Sequence, residues 1–231
     1  MTGRRIIVTG GASGLGRAVA EMLRENGDEP IVFDRANASA PNDAEGDRRE
    51  NVDVTDREAV ERAVARANEG GDVDGVITAA GIDRCGYLSE VPAEEWERVI
   101  DVNLLGTVGV VRAALPALER SHGHVITVAS TLALRVAEGA TAYCAAKFGV
   151  LGFSRALAAE TRGRVGVTTL IPGGMDTHFF DDRPDSYKPP ADAKLNRPDD
   201  VARAVLFALD QPQGCEVREL VVCQEYEESW P

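Results

Sequence analysis

Arg4-Arg5-Ile6-Ile7-Val8-Thr9-Gly10-Gly11-Ala12-Ser13-Gly14-Leu15-Gly16 runs from a strand-length, β-branched stretch straight into a glycine-rich turn. The segment behind the turn carries apolar residues at Val19 and Leu23, so it reads as a helix over residues 15–26 that Gly27 ends. Gly10, Gly14 and Gly16 let the backbone turn tightly and let a pyrophosphate come close. Ser13 and Leu15 stand where a helix N-terminus presents free N–H groups and the positive end of its dipole. A glycine turn alone is weak evidence. At the first strand–helix junction of a chain it predicts a dinucleotide site.

The same alternation continues outward. Strands are expected over residues 4–9, 30–34, 49–54, 74–79, 124–130, 165–171 and 217–223. Helices are expected over 15–26, 56–68 (with Thr55 as N-cap), 94–120 (with a kink near Pro116), 141–161 and 199–209. Seven strands separated by helices, several apolar on both faces, predict an α/β fold: a Rossmann-type doubly wound parallel sheet with helices on both faces. With 231 residues the chain suits one such domain. Asp34 closes the second strand, 18 residues after Gly16. A carboxylate there accepts hydrogen bonds from the adenosine ribose hydroxyls and repels a 2′-phosphate, which favours NAD(H) over NADP(H). Arg35, next in the chain, could offset part of that repulsion and keeps NADP(H) possible.

Composition narrows the function. The formal net charge of −13 argues against nucleic acid and against an anionic membrane surface. No run of 18 apolar residues and no signal-peptide pattern is present, so a cytoplasmic protein with no membrane span is expected. The four cysteines (Cys85, Cys144, Cys215, Cys223) form no C-x-x-C pair, and the three histidines share no metal-ligand spacing; no metal is expected.

The pattern Thr9-Gly10-x-x-x-Gly14-x-Gly16, together with Tyr143-Cys144-Ala145-Ala146-Lys147, resembles the classical short-chain dehydrogenase/reductase family. Further matches follow in the family's order. Asp53-Val54 corresponds to its adenine-binding pair. Thr78-Ala79-Ala80-Gly81 stands for Asn-Ala-Ala-Gly, with threonine in place of asparagine. Asn103 lies in Asp101-Val102-Asn103-Leu104-Leu105-Gly106, and Ser130 precedes Tyr143 by 13 residues. Pro172-Gly173-Gly174-Met175-Asp176-Thr177 matches the turn that closes over the nicotinamide. The resemblance implies cofactor contacts from Gly10, Ser13, Gly14, Leu15, Gly16, Asp34, Arg35, Asp53, Val54, Ala79, Ala80, Gly81, Tyr143, Lys147, Pro172, Gly173, Met175 and Thr177. It implies catalysis by Asn103, Ser130, Tyr143 and Lys147, and a homodimer or homotetramer built on the two long helices, whose Ala142, Ala145, Ala146 and Ala156 would permit close contact.

The chemistry is a proton moved together with a hydride. Tyr143 and Lys147 are four apart on a helix and so share a face. A lysine cation about 5 Å from a phenol contributes roughly 3 kcal/mol at an effective dielectric of 20, about two pKa units, which would bring the tyrosine toward general acid–base use. By the resemblance, Lys147 also holds the nicotinamide ribose, Ser130 polarises the substrate oxygen, and Asn103 holds a relay water. The expected activity is interconversion of a secondary alcohol and a ketone. The alternatives are an NADP(H)-dependent reductase of 3-oxoacyl or other β-keto substrates, and a non-catalytic dinucleotide sensor. Three loops, about 82–88, 131–140 and 175–190, should line the substrate pocket. They carry Asp83, Arg84, Arg135, Glu138, His178, Phe179 and Phe180, with Arg84 or Arg135 as a possible clamp for an anionic substrate, His178 as an extra acid–base group and the phenylalanines as an apolar lid. Trp230 could pack on a neighbouring subunit or cap the pocket.

Overall fold

A computed structural model of the chain describes residues 3–35 and 48–227. Residues 36–47 and Trp230 lie outside the described residues. The seven strands are β1 (Arg5–Thr9), β2 (Glu29–Asp34), β3 (Arg48–Asn51), β4 (Gly75–Thr78), β5 (His124–Val128), β6 (Gly166–Pro172) and β7 (Glu219–Val222). They form one sheet in the order β3-β2-β1-β4-β5-β6-β7, all parallel. The helices are α1 (Gly14–Glu25), α2 (Arg57–Ala67), α3 (Ala93–Ile100), α4 (Gly106–Ser121), α5 (Thr141–Glu160) and α6 (Pro198–Leu209).

Successive strand residues point to opposite faces, and both faces are covered. Ile6, Val8, Ile77, Ile126 and Leu170 pack against Val19 and Leu23 of α1 and Val201 and Val205 of α6. Ile7, Ile31, Phe33, Val76, Val125 and Val167 pack against Val60 and Val64 of α2, Val110 and Leu118 of α4 and Leu157 of α5. This is the doubly wound architecture expected from the alternation. The strand order reverses between β1 and β4, and a crevice opens beyond the carboxyl ends of the strands at that switch.

Local details correct several expectations. The third strand stops at Asn51 and the fifth at Val128. The N-cap of α2 is Asp56, whose carboxylate accepts the Ala59 N–H at 2.9 Å; the Thr55 hydroxyl donates instead to Asp53 at 2.7 Å. Asp56→Ala should therefore cost about 1 kcal/mol in urea unfolding, with a smaller loss for Thr55→Ala. Equal losses for the two variants would contradict this assignment. The stretch expected as one helix with a kink at Pro116 instead breaks earlier, at a π turn over Asp101–Leu105. The Asn103 side chain donates to the Val99 carbonyl at 2.8 Å and so competes with the backbone ladder there. Pro116 sits inside α4 on its exposed side, one turn after the exposed Arg112, whose carbonyl it leaves without an intrahelical donor. By length and composition the continuous stretch Ala93–Ser121 could cross a membrane. In this fold its apolar residues Val99, Val110, Val111, Ala114, Ala117 and Leu118 are buried in the protein core. Of the alanines expected to face a partner, Ala142 and Ala146 are buried within their own chain, while Ala145 and Ala156 face outward.

Candidate active site

The glycine turn is fixed by close backbone approach. Gly10 has φ +69°, and a Cβ there would stand 2.9 Å from the Ala80 backbone; a Cβ on Gly16 would strike the Gly10 carbonyl. Ser13 heads α1 without a side-chain cap of its own, which leaves the first N–H groups of the helix to a ligand. At the end of β2 the Asp34 carboxylate accepts the Ala12 N–H at 2.9 Å, and this contact seats it beside the turn. Arg35 lies 3.6 Å from Asp53, which also takes Arg98 at 3.6 Å and hydrogen bonds from Thr55.

A cleft of about 920 Å³ runs along the carboxyl ends of the strands. Gly10, Ser13, Gly14, Leu15, Gly16, Asp34, Arg35, Asp53, Val54, Ala79, Ala80, Gly81, Ser130, Tyr143, Lys147, Pro172, Gly173, Met175 and Thr177 all line it, so the structure gathers the sequence-predicted residues on one surface. Asn103 lies just behind that surface. The uncapped helix, the glycine cradle and the strand-end carboxylate fit an adenine dinucleotide. Thr78, at the family's asparagine position, is buried with its hydroxyl unpartnered, and the Ala80 N–H is taken by Thr9 Oγ1 at 3.1 Å.

Ser130 leaves the end of β5 and caps the short turn Thr131–Ala133, its hydroxyl accepting the Leu132 N–H at 3.1 Å. Tyr143 and Lys147 lie one turn apart on α5, with Lys147 Nζ 5.5 Å from the tyrosine ring centre. Lys147 is 5% exposed, and its ammonium donates to the Val128 carbonyl at 2.8 Å. Asn103 is held by two hydrogen bonds from its amide nitrogen, to Ile82 and Val99, while its Oδ1 is buried and unpartnered. A Cβ built on Gly81 would stand 2.8 Å from that oxygen and 3.9 Å from Lys147 Nζ, so both groups face the same small space.

The electrostatics depart from the simple ion–phenol picture. Burial pushes the Tyr143 phenol above its ordinary value and the Asp83 charge adds to this, while a hydrogen bond with Ser130 and the charge of Arg183 pull the other way. The expected downward pull of Lys147 does not set the phenol's titration in the free chain. Burial lowers Lys147 itself to about 8, and Asp83 partly offsets the effect. The depressed lysine and the raised tyrosine stand side by side on α5 at one wall of the cleft, the kind of opposed perturbation that clusters at functional sites.

The three outer loops meet over this centre. Gly86 N–H donates to Gly139 at 2.8 Å, Tyr87 donates to Glu138 at 2.6 Å, and the Tyr187 ring fills the space a Gly139 side chain would need. Phe179 packs 5.6 Å from the Tyr143 ring. Arg84 lines the cleft and pairs with Glu95 at 3.0 Å, while Arg135 and Glu138 are not among the residues that line it. His178 is exposed and pairs with Asp181 at 2.7 Å. Among the cleft residues that the sequence does not single out are two charged ones, Arg183, and Glu227, which accepts the Gly174 N–H at 3.0 Å. Both lie in polar stretches without periodicity. The cysteines are free, and among the described residues no group of three His, Cys, Asp or Glu is placed to hold a metal.

A family model described as short chain dehydrogenase matches residues 4–188. An uncharacterized oxidoreductase of Staphylococcus aureus (strain MW2) is 35% identical over 230 residues, covering 96% of this chain and 97% of the relative. Two solved structures superpose with TM-score 0.85. One is an alcohol dehydrogenase from the archaeon Thermococcus sibiricus complexed with 5-hydroxy-NADP, 27% identical over 95% of each chain. The other is a 3-ketoacyl-(acyl-carrier-protein) reductase from Brucella melitensis complexed with NADH, 25% identical and covering 96% of this chain and 97% of that one.

Proposed function

Because the chain belongs to the short-chain dehydrogenase family and is an NAD(P)-dependent oxidoreductase, we propose that it interconverts a secondary alcohol and a ketone with NAD(H), using Tyr143 as the general acid–base. The observation that carries this reading is the meeting of Ser130, Tyr143 and Lys147 at the end of β5, beside a space that the unpartnered Asn103 oxygen also faces. The nicotinamide supplies the hydride acceptor or donor when bound. Ser130 holds and polarises the substrate oxygen. Tyr143 takes the alcohol proton in oxidation and returns it to the nascent alkoxide in reduction. Lys147 stabilises the phenolate electrostatically, and water held by Asn103 links its ammonium to solvent.

Turnover of a panel of secondary alcohols with NAD⁺, and of ketones with NADH, tests the reading through the absorbance of the reduced nicotinamide. Tight NADH binding with no turnover anywhere would favour a non-catalytic sensor instead. Cofactor preference rests on Asp34. The carboxylate lines the cleft at the end of β2, and Arg35 is already drawn toward Asp53. Asp34→Ser should weaken NADH binding roughly tenfold, the scale of one charged hydrogen bond, and narrow the gap to NADPH in a fluorescence titration. If the unaltered protein binds NADPH more tightly, the NADP(H)-dependent reductase of β-keto substrates becomes the better reading, in line with the NADP-type ligand in the Thermococcus enzyme and the ketoacyl reductase likeness.

A further inference from the structure

We propose that Asp83 and Arg183 form a latch across the substrate pocket that accepts uncharged carbonyl and alcohol substrates and rejects those carrying a carboxylate beside the reacting carbon; the inference rests on the hydride-transfer reading. Asp83 follows β4, and Arg183 lies in the loop after β6. The guanidinium donates to the carboxylate at 2.6 Å, with the side chains 1% and 17% exposed for Asp83 and Arg183. Arg183 also lies 4.5 Å from the Phe180 ring centre and 5.6 Å from that of Phe179, which reaches Tyr143. The pair thus ties the lid to the wall of the reacting centre. Asp83 is fully engaged, since its second contacts are the Cys85 thiol and the Arg84 N–H.

The charges along the cleft decide what it accepts. Each arginine lining it already has a carboxylate: Arg35 and Arg98 share Asp53, Arg84 holds Glu95, and Arg183 holds Asp83. His178 holds Asp181, and Lys147 is turned onto the Val128 carbonyl. Arg183 gives one terminal nitrogen to Asp83 and the other to the Tyr187 carbonyl, and among the described residues only its buried Nε has no partner. A substrate carboxylate drawn to that one N–H would compete with Asp83 for the guanidinium charge, and one placed elsewhere in the pocket would sit against Asp83. Like charges about 5 Å apart in such surroundings cost roughly 100-fold in affinity. An uncharged ketone meets neither obstacle. Asp83 also acts electrostatically on both Tyr143 and Lys147, which places its charge within reach of the reacting atoms.

Matched ketones test this directly: ethyl pyruvate against pyruvate, and ethyl acetoacetate against acetoacetate. In the unaltered enzyme the esters should exceed the acids in kcat/KM by roughly 100-fold, and Asp83→Asn should narrow that ratio about tenfold by improving the acids. Arg183→Met keeps an apolar stem on Phe180 but leaves Asp83 unpaired. It should worsen the acids further and speed amide hydrogen exchange over residues 178–188 about tenfold or more, with partial recovery in Arg183→Lys. Equal rates on acid and ester in the unaltered enzyme, or an Asp83→Asn variant that changes both by the same factor, would overturn the proposal. If no ketone is turned over with either nicotinamide, the hydride-transfer reading fails on its own account. The latch is then judged by exchange alone: unchanged protection of the lid in Arg183→Met overturns it, and lost protection supports it.

Discussion

Tyr143→Phe is expected to lower kcat by about 10³-fold or more while leaving NADH affinity within about a factor of three of the original. The variant removes one oxygen from a ring whose packing against Phe179 and Lys147 needs no hydroxyl. The proton that accompanies hydride movement then has no route at that position, and no other group is poised to take it: Ser130, whose oxygen accepts the Leu132 N–H, is an aliphatic alcohol and a far poorer acid than a phenol, and Lys147 donates to the Val128 carbonyl. Because the loss lies in the chemical step, single-turnover rates should fall as far as steady-state rates. A Phe variant that retains a tenth of the original kcat would remove Tyr143 from the proposed role.

Lys147→Met is expected to do two opposite things: abolish most activity and stabilise the fold. The lysine is almost fully buried with its charge on a single carbonyl, and burial lowers its pKa from 10.5 to about 8. That lowering corresponds to about 3 kcal/mol held against the native state. Methionine fills similar volume, and losing the hydrogen bond to Val128 returns about 1 kcal/mol, so the net gain should be about 1–2 kcal/mol. The pH dependence has a definite sign. Below about 8 the lysine is charged in folded and unfolded chains alike, and the penalty is fully present. Between about 8 and 10.5 the folded chain sheds the proton first, so the stability of the unaltered protein rises with pH and its deficit against the variant shrinks. Thermal unfolding of both proteins from pH 7 to pH 10 measures this. A deficit that is absent, or that grows with pH, would mean the ammonium is better solvated than the structure indicates.

The sheet was legible because β-branched runs and glycine breaks are local signals, and strands apolar on both faces imply cover on both sides. The site was legible because Tyr143 and Lys147 share a helix, while Gly10, Asp34 and Ser130 each mark the end of a strand. Relations between distant segments were not. The Asp83–Arg183 pair spans 100 residues with no pattern to link its members, and Glu227 reaches the Gly173–Gly174 turn from the far end of the chain. The direction of the Tyr143 shift is not legible either, because the sequence offers the pairwise pull of Lys147 but not the burial that outweighs it in the folded chain. Proline is the visible breaker, so sequence points to a kink at Pro116; Asn103 stands out there as a motif residue, but nothing in the sequence shows that its side chain bonds the Val99 carbonyl and competes with the helix ladder.

That wide turn has a consequence for how the chain tolerates length changes. A π turn holds one residue more than the helix around it needs. Everything from Gly106 to Ser121 is therefore rotated by about 100° relative to an unbroken continuation of α3. Gly106 meets Val54, and Val110 and Leu118 meet the sheet, only in that rotated phase. Deleting a single residue between 101 and 105 would give a more regular helix and a less functional protein, because regularity would swing the downstream face off the sheet and carry the Asn103 oxygen away from Gly81. In this segment an irregular helix is the condition for a well-formed catalytic wall.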